Sequence, residues 1–146
     1  MTSKEKAREA KAYLQRVAFA EREIKTLKAR IAHYEDLGLS ITAFRTDTPV
    51  IASKGASRVE MAAVGIVDSL GSLNANLGAY TAIVRDAEEK IKKIPQENYR
   101  RLLTLRYLCG MSFRSVSDEL RYEDRNSIYR AHGYALLEMW EAMKDA

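Results

Sequence analysis

The polar side chains best suited to chemistry in this 146-residue sequence lie between residues 114 and 134. Asn126, Tyr129, Arg130 and Tyr134 recur every three or four residues, so a helix would place them on one face. Asn can bond adenine edges, Arg can bond guanine edges, and Tyr hydroxyls suit phosphates or bases. Arg125 would start that helix, and an arginine on the preceding helix could reach phosphate. The pattern predicts a DNA-binding face made of Arg114, Arg125, Asn126, Tyr129, Arg130 and Tyr134.

No residue spacing in the sequence indicates catalysis. The two histidines, His33 and His132, are far apart, and no metal-ligand spacing or glycine-rich nucleotide motif is present. Lys54-Gly55 lacks the upstream glycine and strand of a phosphate loop. His132 falls beside an apolar stripe and lacks partners for acid–base work, which favours a packed or capping role. We therefore expect no enzymatic activity, no cofactor and no bound metal.

Three helices are predicted to position the DNA-binding face. Pro95 suits the start of the first helix, and Cys109-Gly110 suits its end. Ser112 can cap a short second helix, and a longer third helix begins at about Asn126. A short helix, a tight turn and a longer helix with polar residues at its front make a helix-turn-helix. One buried stripe is predicted on the third helix: Ile128, Ala131, Ala135, Leu136, Met139, Trp140 and Met143.

The residues before this motif are predicted to form two long helices. Residues 3–37 carry apolar side chains at alternating spacings of three and four, with Thr2 or Ser3 as cap and Gly38 as terminator. Residues 59–94 repeat that pattern over five heptads, after a capping box of Ser57 and Glu60. Residues 38–57 lose the periodicity and are predicted to be an irregular loop. The expected fold is all-α: a long antiparallel, coiled-coil-like helical hairpin over 1–94, followed by a three-helix helix-turn-helix domain over 95–146.

The second long helix also predicts self-association. Met61, Val64 and Val67 widen its apolar stripe beyond what pairing with one helix needs. We expect a homodimer or a higher homo-oligomer, built on the hairpin. The residues predicted to carry the oligomer interface are Ile66, Leu70, Leu73, Leu77 and Tyr80.

Charge and composition narrow the class of protein. The chain has a net charge of +4, but residues 95–146 hold eight basic and eight acidic residues. Residues 1–30 hold nine basic and four acidic residues, and a solvated helix face is the favoured interpretation of Lys4, Lys6, Arg8 and Lys11 over a DNA-contacting arm. The single cysteine fits a reducing compartment. The sequence predicts neither a signal peptide nor a membrane span, so a cytoplasmic protein is expected.

The sequence also resembles a known family. The matching residues are Ile94-Pro95, Leu105-Arg106-Tyr107-Leu108, Gly110-Met111-Ser112-Phe113, Val116, Leu120, Tyr122, Ile128-Tyr129-Arg130-Ala131-His132-Gly133 and Ala135-Leu136. This run resembles the C-terminal part of phage late-gene transcriptional regulators of the RinA/ArpU type, and the promoter-reading end of bacterial sigma factors. The resemblance implies a regulator that binds double-stranded DNA and acts with RNA polymerase in the cytoplasm of a bacterial host.

Two other functions remain open from the sequence. A DNA-packaging adaptor, like a small terminase subunit, also joins a helix-turn-helix to helical oligomerisation elements, and it would form rings in solution. A polymerase-binding interaction module would use the same helices without touching DNA. The formal neutrality of residues 95–146 keeps the second alternative open, because phosphate contacts supply most nonspecific affinity for DNA.

Overall fold

The chain folds into helices throughout the part that the structure describes. The structure is a computed structural model that describes the backbone of residues 1–47 and 53–145, and the side chains of residues 1–43 and 58–145. No strand is present in those ranges, so the predicted all-α fold is confirmed. The helices are α1 (Ser3–Asp47), α2 (Ser53–Lys92), α3 (Glu97–Leu103) with a π-helical turn (Thr104–Leu108), α4 (Phe113–Leu120) and α5 (Arg125–Lys144).

The predicted loop over 38–57 is wrong over most of its length. Helix α1 continues through Gly38 to Asp47, and α2 begins at Ser53, which leaves only 48–52 outside the described residues. A glycine inside a helix costs only about 1 kcal/mol relative to alanine, which packing can outweigh. A Cβ atom at position 38 would lie 3.8 Å from the Cγ2 atom of Ile66, so the backbone of α1 lies close to α2 at this point. The predicted cap at Ser57 is likewise wrong, because α2 starts four residues earlier.

Residues 23–80 form one compact unit made of the adjoining parts of α1 and α2. Leu27 of α1 and Leu73 of α2 are buried in it. Side chains of both helices also line one apolar groove, among them Tyr34, Ile66 and Leu70. The two helices therefore pack against each other within this unit, as the heptad pattern predicts.

The other compact unit joins residues 1–22 to residues 81–146. Its core takes side chains from both stretches, including Ala10 and Leu14 of α1 and Leu102, Val116 and Met139 from the C-terminal helices. Burial of a leucine, valine or methionine side chain contributes roughly 1.5–3 kcal/mol. The first turns of α1 thus help to build the core on which α5 packs. The predicted division into residues 1–94 and 95–146 stays a prediction, and the position 94/95 lies inside this unit.

Local backbone features set the path from α2 to α5. The Arg100 guanidinium (Nη1) donates to the carbonyl oxygens of Ile94 (2.5 Å) and Pro95 (2.9 Å), two residues of the connection between α2 and α3. Gly110 adopts φ 70°, the left-handed exit conformation predicted for it. Ser112 caps α4 as predicted, since its Oγ accepts a hydrogen bond from the Ser115 amide at 3.1 Å.

Candidate nucleic-acid interface

A tight turn connects α4 to α5, and the N-terminal end of α5 is exposed to solvent. Arg121 adopts φ 61° and ψ 42°, a left-handed conformation that stops α4. Asp124 then caps α5, because its Oδ1 accepts a hydrogen bond from the Ser127 amide at 2.8 Å. Helix α5 begins at Arg125, one residue before the predicted start. The turn between α4 and α5 is therefore short and held at both ends, as in a helix-turn-helix.

One side of α5 is buried and the other is open. The buried residues include most of the predicted stripe, with Trp140 and Met143 half-buried at its border. Tyr129 is 54% exposed and Tyr134 is 59% exposed, although both are large aromatic residues. All six residues of the predicted DNA-binding face are exposed: Arg114, Arg125, Asn126, Tyr129, Arg130 and Tyr134.

Five of those six side chains share one continuous surface. Asn126, Tyr129 and Arg130 line one shallow depression. Tyr129 also lines a second depression together with Arg114 and Arg125, so it joins the two. Tyr134 follows Arg130 by four residues and so projects from the next helical turn. The surface offers amide, guanidinium and phenol groups in a shallow, solvent-open arrangement.

Carboxylates interrupt this surface without removing its hydrogen-bond donors. Asp124 lines both depressions, and Asp118 and Glu123 line the second. The Ser127 amide and hydroxyl bind Asp124 and hold the pKa of its carboxyl below the usual range, with a smaller contribution from the charge of Arg130. Asp124 therefore serves the helix end as an ionised cap. No carboxylate of the described residues forms an ion pair with Arg114, Arg125 or Arg130.

An aromatic and imidazole cluster supports the exposed face from below. The Phe113 ring lies 5.2 Å from the Tyr129 ring and 4.8 Å from the His132 ring, measured between centroids. The Tyr107 hydroxyl lies 2.7 Å from His132 Nε2. The Arg106 guanidinium stacks on Phe113 at 4.3 Å and donates to the Met111 carbonyl oxygen at 3.0 Å. The side chain of Tyr129 is thus positioned by a packed layer rather than left free.

The buried histidine of this cluster is neutral at physiological pH. Burial lowers the pKa of His132 to about 4, and the positive charges of Lys11 and Arg106 add to the effect. Burial also raises the pKa of Tyr107 to about 12, so its hydroxyl keeps its proton. In the tautomer that leaves Nε2 unprotonated, the hydroxyl donates to the imidazole. The packed role predicted for His132 is therefore confirmed, and His33 is exposed.

Sequence reasoning missed how Tyr107 reaches His132. Residues 104–108 form a π-helical turn, in which the Cys109 amide bonds to the Thr104 carbonyl oxygen at 3.0 Å. The sequence pattern predicts an ordinary α-helix over these residues. A π-helical turn shifts the following side chains around the helix axis and often marks functional sites. The contact of Tyr107 with His132 could not be predicted from local sequence patterns, because the two residues are 25 positions apart.

The first turns of α1 also lie against α5. The indole Nε1 of Trp140 donates to Glu9 Oε2 at 2.8 Å, and the Lys6 ammonium lies 4.7 Å from the indole centroid. Lys144 approaches the same indole at 5.3 Å. Trp140 is therefore bound to α1 through its polar edge and through the cation–π contact with Lys6, whereas Lys144 belongs to α5 itself. This packing was not predicted from the sequence.

The residues predicted for oligomerisation lie on the side of α2 that packs against α1 within residues 23–80. Leu73 is buried, whereas Ile66, Leu70, Leu77 and Tyr80 are half-buried. The open apolar residues of α2 in this unit are instead those that widen the stripe. Met61, Val64 and Val67 are between 60% and 72% exposed. These three side chains leave apolar surface of α2 uncovered.

The described residues contain no group of three side chains placed to hold a metal ion. Over the same residues, no helix is both long and apolar enough to cross a membrane. Comparison of the chain with protein-family models, with curated proteins and with solved structures finds no match.

Proposed function

We propose that this chain is a sequence-specific transcriptional regulator that binds double-stranded DNA through α5. The observation that carries the proposal is the open face of α5, where Asn126, Tyr129 and Arg130 share one surface with Arg114 and Arg125. Bidentate Asn and Arg side chains are the groups that read adenine and guanine edges in the major groove. A short α4 and a capped turn present this face in the manner of a helix-turn-helix.

The proposal assigns different roles to the exposed residues. Arg130 and Asn126 are base-reading groups, because they lie in the first turns of α5, where such helices contact base edges. Arg114 lies at the start of α4 and contacts phosphate. Tyr129 rests on Phe113 and orients its hydroxyl toward the DNA backbone or a base. A rigid layer below the face lowers the entropy cost of ordering these side chains on binding.

The resemblance to phage late-gene regulators supports a finer version of this proposal. The chain acts as an activator together with the RNA polymerase of a bacterial host, in its cytoplasm. A homodimer presents two copies of α5 to two half-sites, through a partner contact at Met61, Val64 and Val67.

Binding to selected duplexes tests the central proposal. A random duplex library is enriched on the purified protein, and affinities for the enriched and a scrambled duplex are measured at several salt concentrations. Replacing Arg130 by alanine should cost about 1–3 kcal/mol on the enriched duplex and relax specificity at one base pair. Replacing Arg114 by alanine should weaken both duplexes and reduce the salt slope by about one unit.

The matched control is Arg30→Ala, which removes one exposed arginine from residues 23–80. It should bind both duplexes as the parent does. If the parent enriches no duplex, the DNA-binding proposal is wrong. Binding of purified RNA polymerase without any duplex would then favour the interaction module, and a ring-sized particle in solution would favour the packaging adaptor.

A further inference from the structure

We infer that a cationic strip on α1, made of Lys4, Arg8 and Lys11, contacts the phosphates of duplex DNA beside the open face of α5. The inference rests on the proposed function and adds a second binding element to it. The sequence alone favours a solvated helix face for these residues. Three features of the structure argue for a DNA contact instead: their shared face, their place beside α5 and the distribution of charge between the two units.

The three side chains form one uninterrupted strip of positive charge. Their spacings of four and three residues place them on the same side of α1. All three are exposed, and among the described residues none of them forms an ion pair with a carboxylate. Lys6, in contrast, lies against the indole of Trp140. The charges of the strip are therefore available to an external anion.

The strip belongs to the part of α1 that packs against α5. Glu9 and Lys6 hold the first turns of α1 on Trp140 of α5. The charge of Lys11 is close enough to lower the pKa of His132. His132 in turn touches Phe113, the ring that supports Tyr129. Lys11, at one end of the strip, is thus near His132, which belongs to the layer below the open face of α5.

The net positive charge of the protein lies in the unit that contains the strip, which is made of residues 1–22 and 81–146. Residues 1–22 and 81–146 together hold eighteen basic and fourteen acidic residues, whereas residues 23–80 hold six of each. Residues 1–22 alone supply six basic and three acidic residues, which is most of the excess. A helix-turn-helix that is neutral over residues 95–146 gains its attraction for a polyanion from α1. Evenly spaced phosphates of a duplex match a strip of this kind by charge complementarity.

Salt-dependent duplex binding by a triple variant tests the inference. In K4Q/R8Q/K11Q the three charges are removed, while circular dichroism and thermal unfolding check that the fold is kept. Each lost phosphate contact lowers the slope of log affinity against log salt by about 0.9, so three contacts lower it by about 2–3. The loss should be equal for the enriched and the scrambled duplex, since phosphates carry no sequence information.

The matched control is K25Q/K28Q/R30Q, which removes three exposed charges of the same sign from α1 within residues 23–80. Its salt slope should equal that of the parent. An unchanged slope in K4Q/R8Q/K11Q, with the parent binding DNA, overturns this inference and leaves the proposed function intact. An equal fall in both variants also overturns it, because net charge alone would explain the effect. If the parent binds no duplex, the proposed function fails first.

Chemical labelling of the parent protein gives an independent measurement. Brief acetylation followed by mass spectrometry compares lysine reactivity with and without saturating duplex. Lys4 and Lys11 should lose at least half of their reactivity in the complex, whereas Lys25 and Lys28 should keep theirs. Equal reactivity of Lys4 and Lys11 in both samples would contradict a phosphate contact.

Discussion

Acid should destabilise this protein through His132 before most carboxylates titrate. The imidazole is only 7% exposed, and its pKa falls from 6.5 to about 4 on folding. Between pH 6.5 and pH 4, the imidazole of His132 is therefore protonated in the unfolded chain and neutral in the folded chain. Stability is unaffected above pH 6.5, falls as the pH drops from 6.5 towards 4, and levels off below that. Protonation would also remove the acceptor from the Tyr107 hydroxyl.

The size of this effect follows from the two pKa values. At about 1.4 kcal/mol for each pH unit, the full penalty is about 3 kcal/mol. About 2 kcal/mol of it should be present at pH 5, where ordinary carboxylates are still mostly ionised. The free energy of unfolding should therefore fall by about 2 kcal/mol between pH 7 and pH 5.

His132→Gln separates the imidazole from all other titrating groups. The amide keeps a hydrogen-bond acceptor for Tyr107 but does not titrate, so the fall between pH 7 and pH 5 should shrink to a few tenths of a kcal/mol. Urea unfolding followed by fluorescence suits the measurement, because the single tryptophan, Trp140, lies in the same unit as His132. His33→Gln, which changes the exposed histidine, is the matched control and should retain the parent's pH dependence.

The result that would refute this reasoning is a parent protein with equal stability at pH 7 and pH 5. Equal pH dependence in the parent and in His132→Gln would refute it as well. Either outcome would mean that the imidazole is hydrated or finds an anionic partner when protonated. The lower stability of His132→Gln at pH 7, about 1–3 kcal/mol from lost ring contacts, does not affect this comparison.

Two further predictions concern the turn and the oligomer. Arg121→Gly should raise the free energy of unfolding by about 0.5–1 kcal/mol, because a residue other than glycine is strained at φ 61°; urea unfolding that shows a loss would contradict this. Light scattering should give the parent a mass near twice the 16.5 kDa of one chain. Val64→Asp should give a folded monomer, whereas Ala29→Asp, an exposed change on α1, should stay dimeric; a monomeric parent would rule out the predicted dimer.

Features that depend on a few neighbouring residues were predictable from the sequence. Ser112 caps α4 and Gly110 takes the left-handed conformation, since both roles follow from the chemistry of one side chain and the next turn. The open face of α5 was also predictable, because helical periodicity alone separates Asn126, Tyr129 and Arg130 from the buried stripe.

Features that depend on distant partners were not predictable in the same way. Gly38 has the propensity of a helix terminator, yet α1 stays helical beyond it, where its backbone lies close to Ile66 of α2. The π-helical turn at Thr104–Leu108 places Tyr107 against a histidine that no local pattern connects to it. The contact between Glu9 of α1 and Trp140 of α5 joins residues 131 positions apart, so the sequence pattern of either helix does not predict their packing. That contact also places the part of α1 that carries the cationic strip against α5, which the sequence alone did not indicate.

The contact between Glu9 and Trp140 also has a consequence for folding during synthesis, because it cannot form until Trp140 has been synthesised. The first turns of α1 emerge from the ribosome 131 residues before the indole that they bind. At synthesis rates of about 5–20 residues per second, this interval is roughly 7–26 s. Throughout it, Ala10 and Leu14 lack the C-terminal side chains that complete their core. The core shared by residues 1–22 and 81–146 is therefore complete only after α5 has been synthesised and has packed on the first turns of α1.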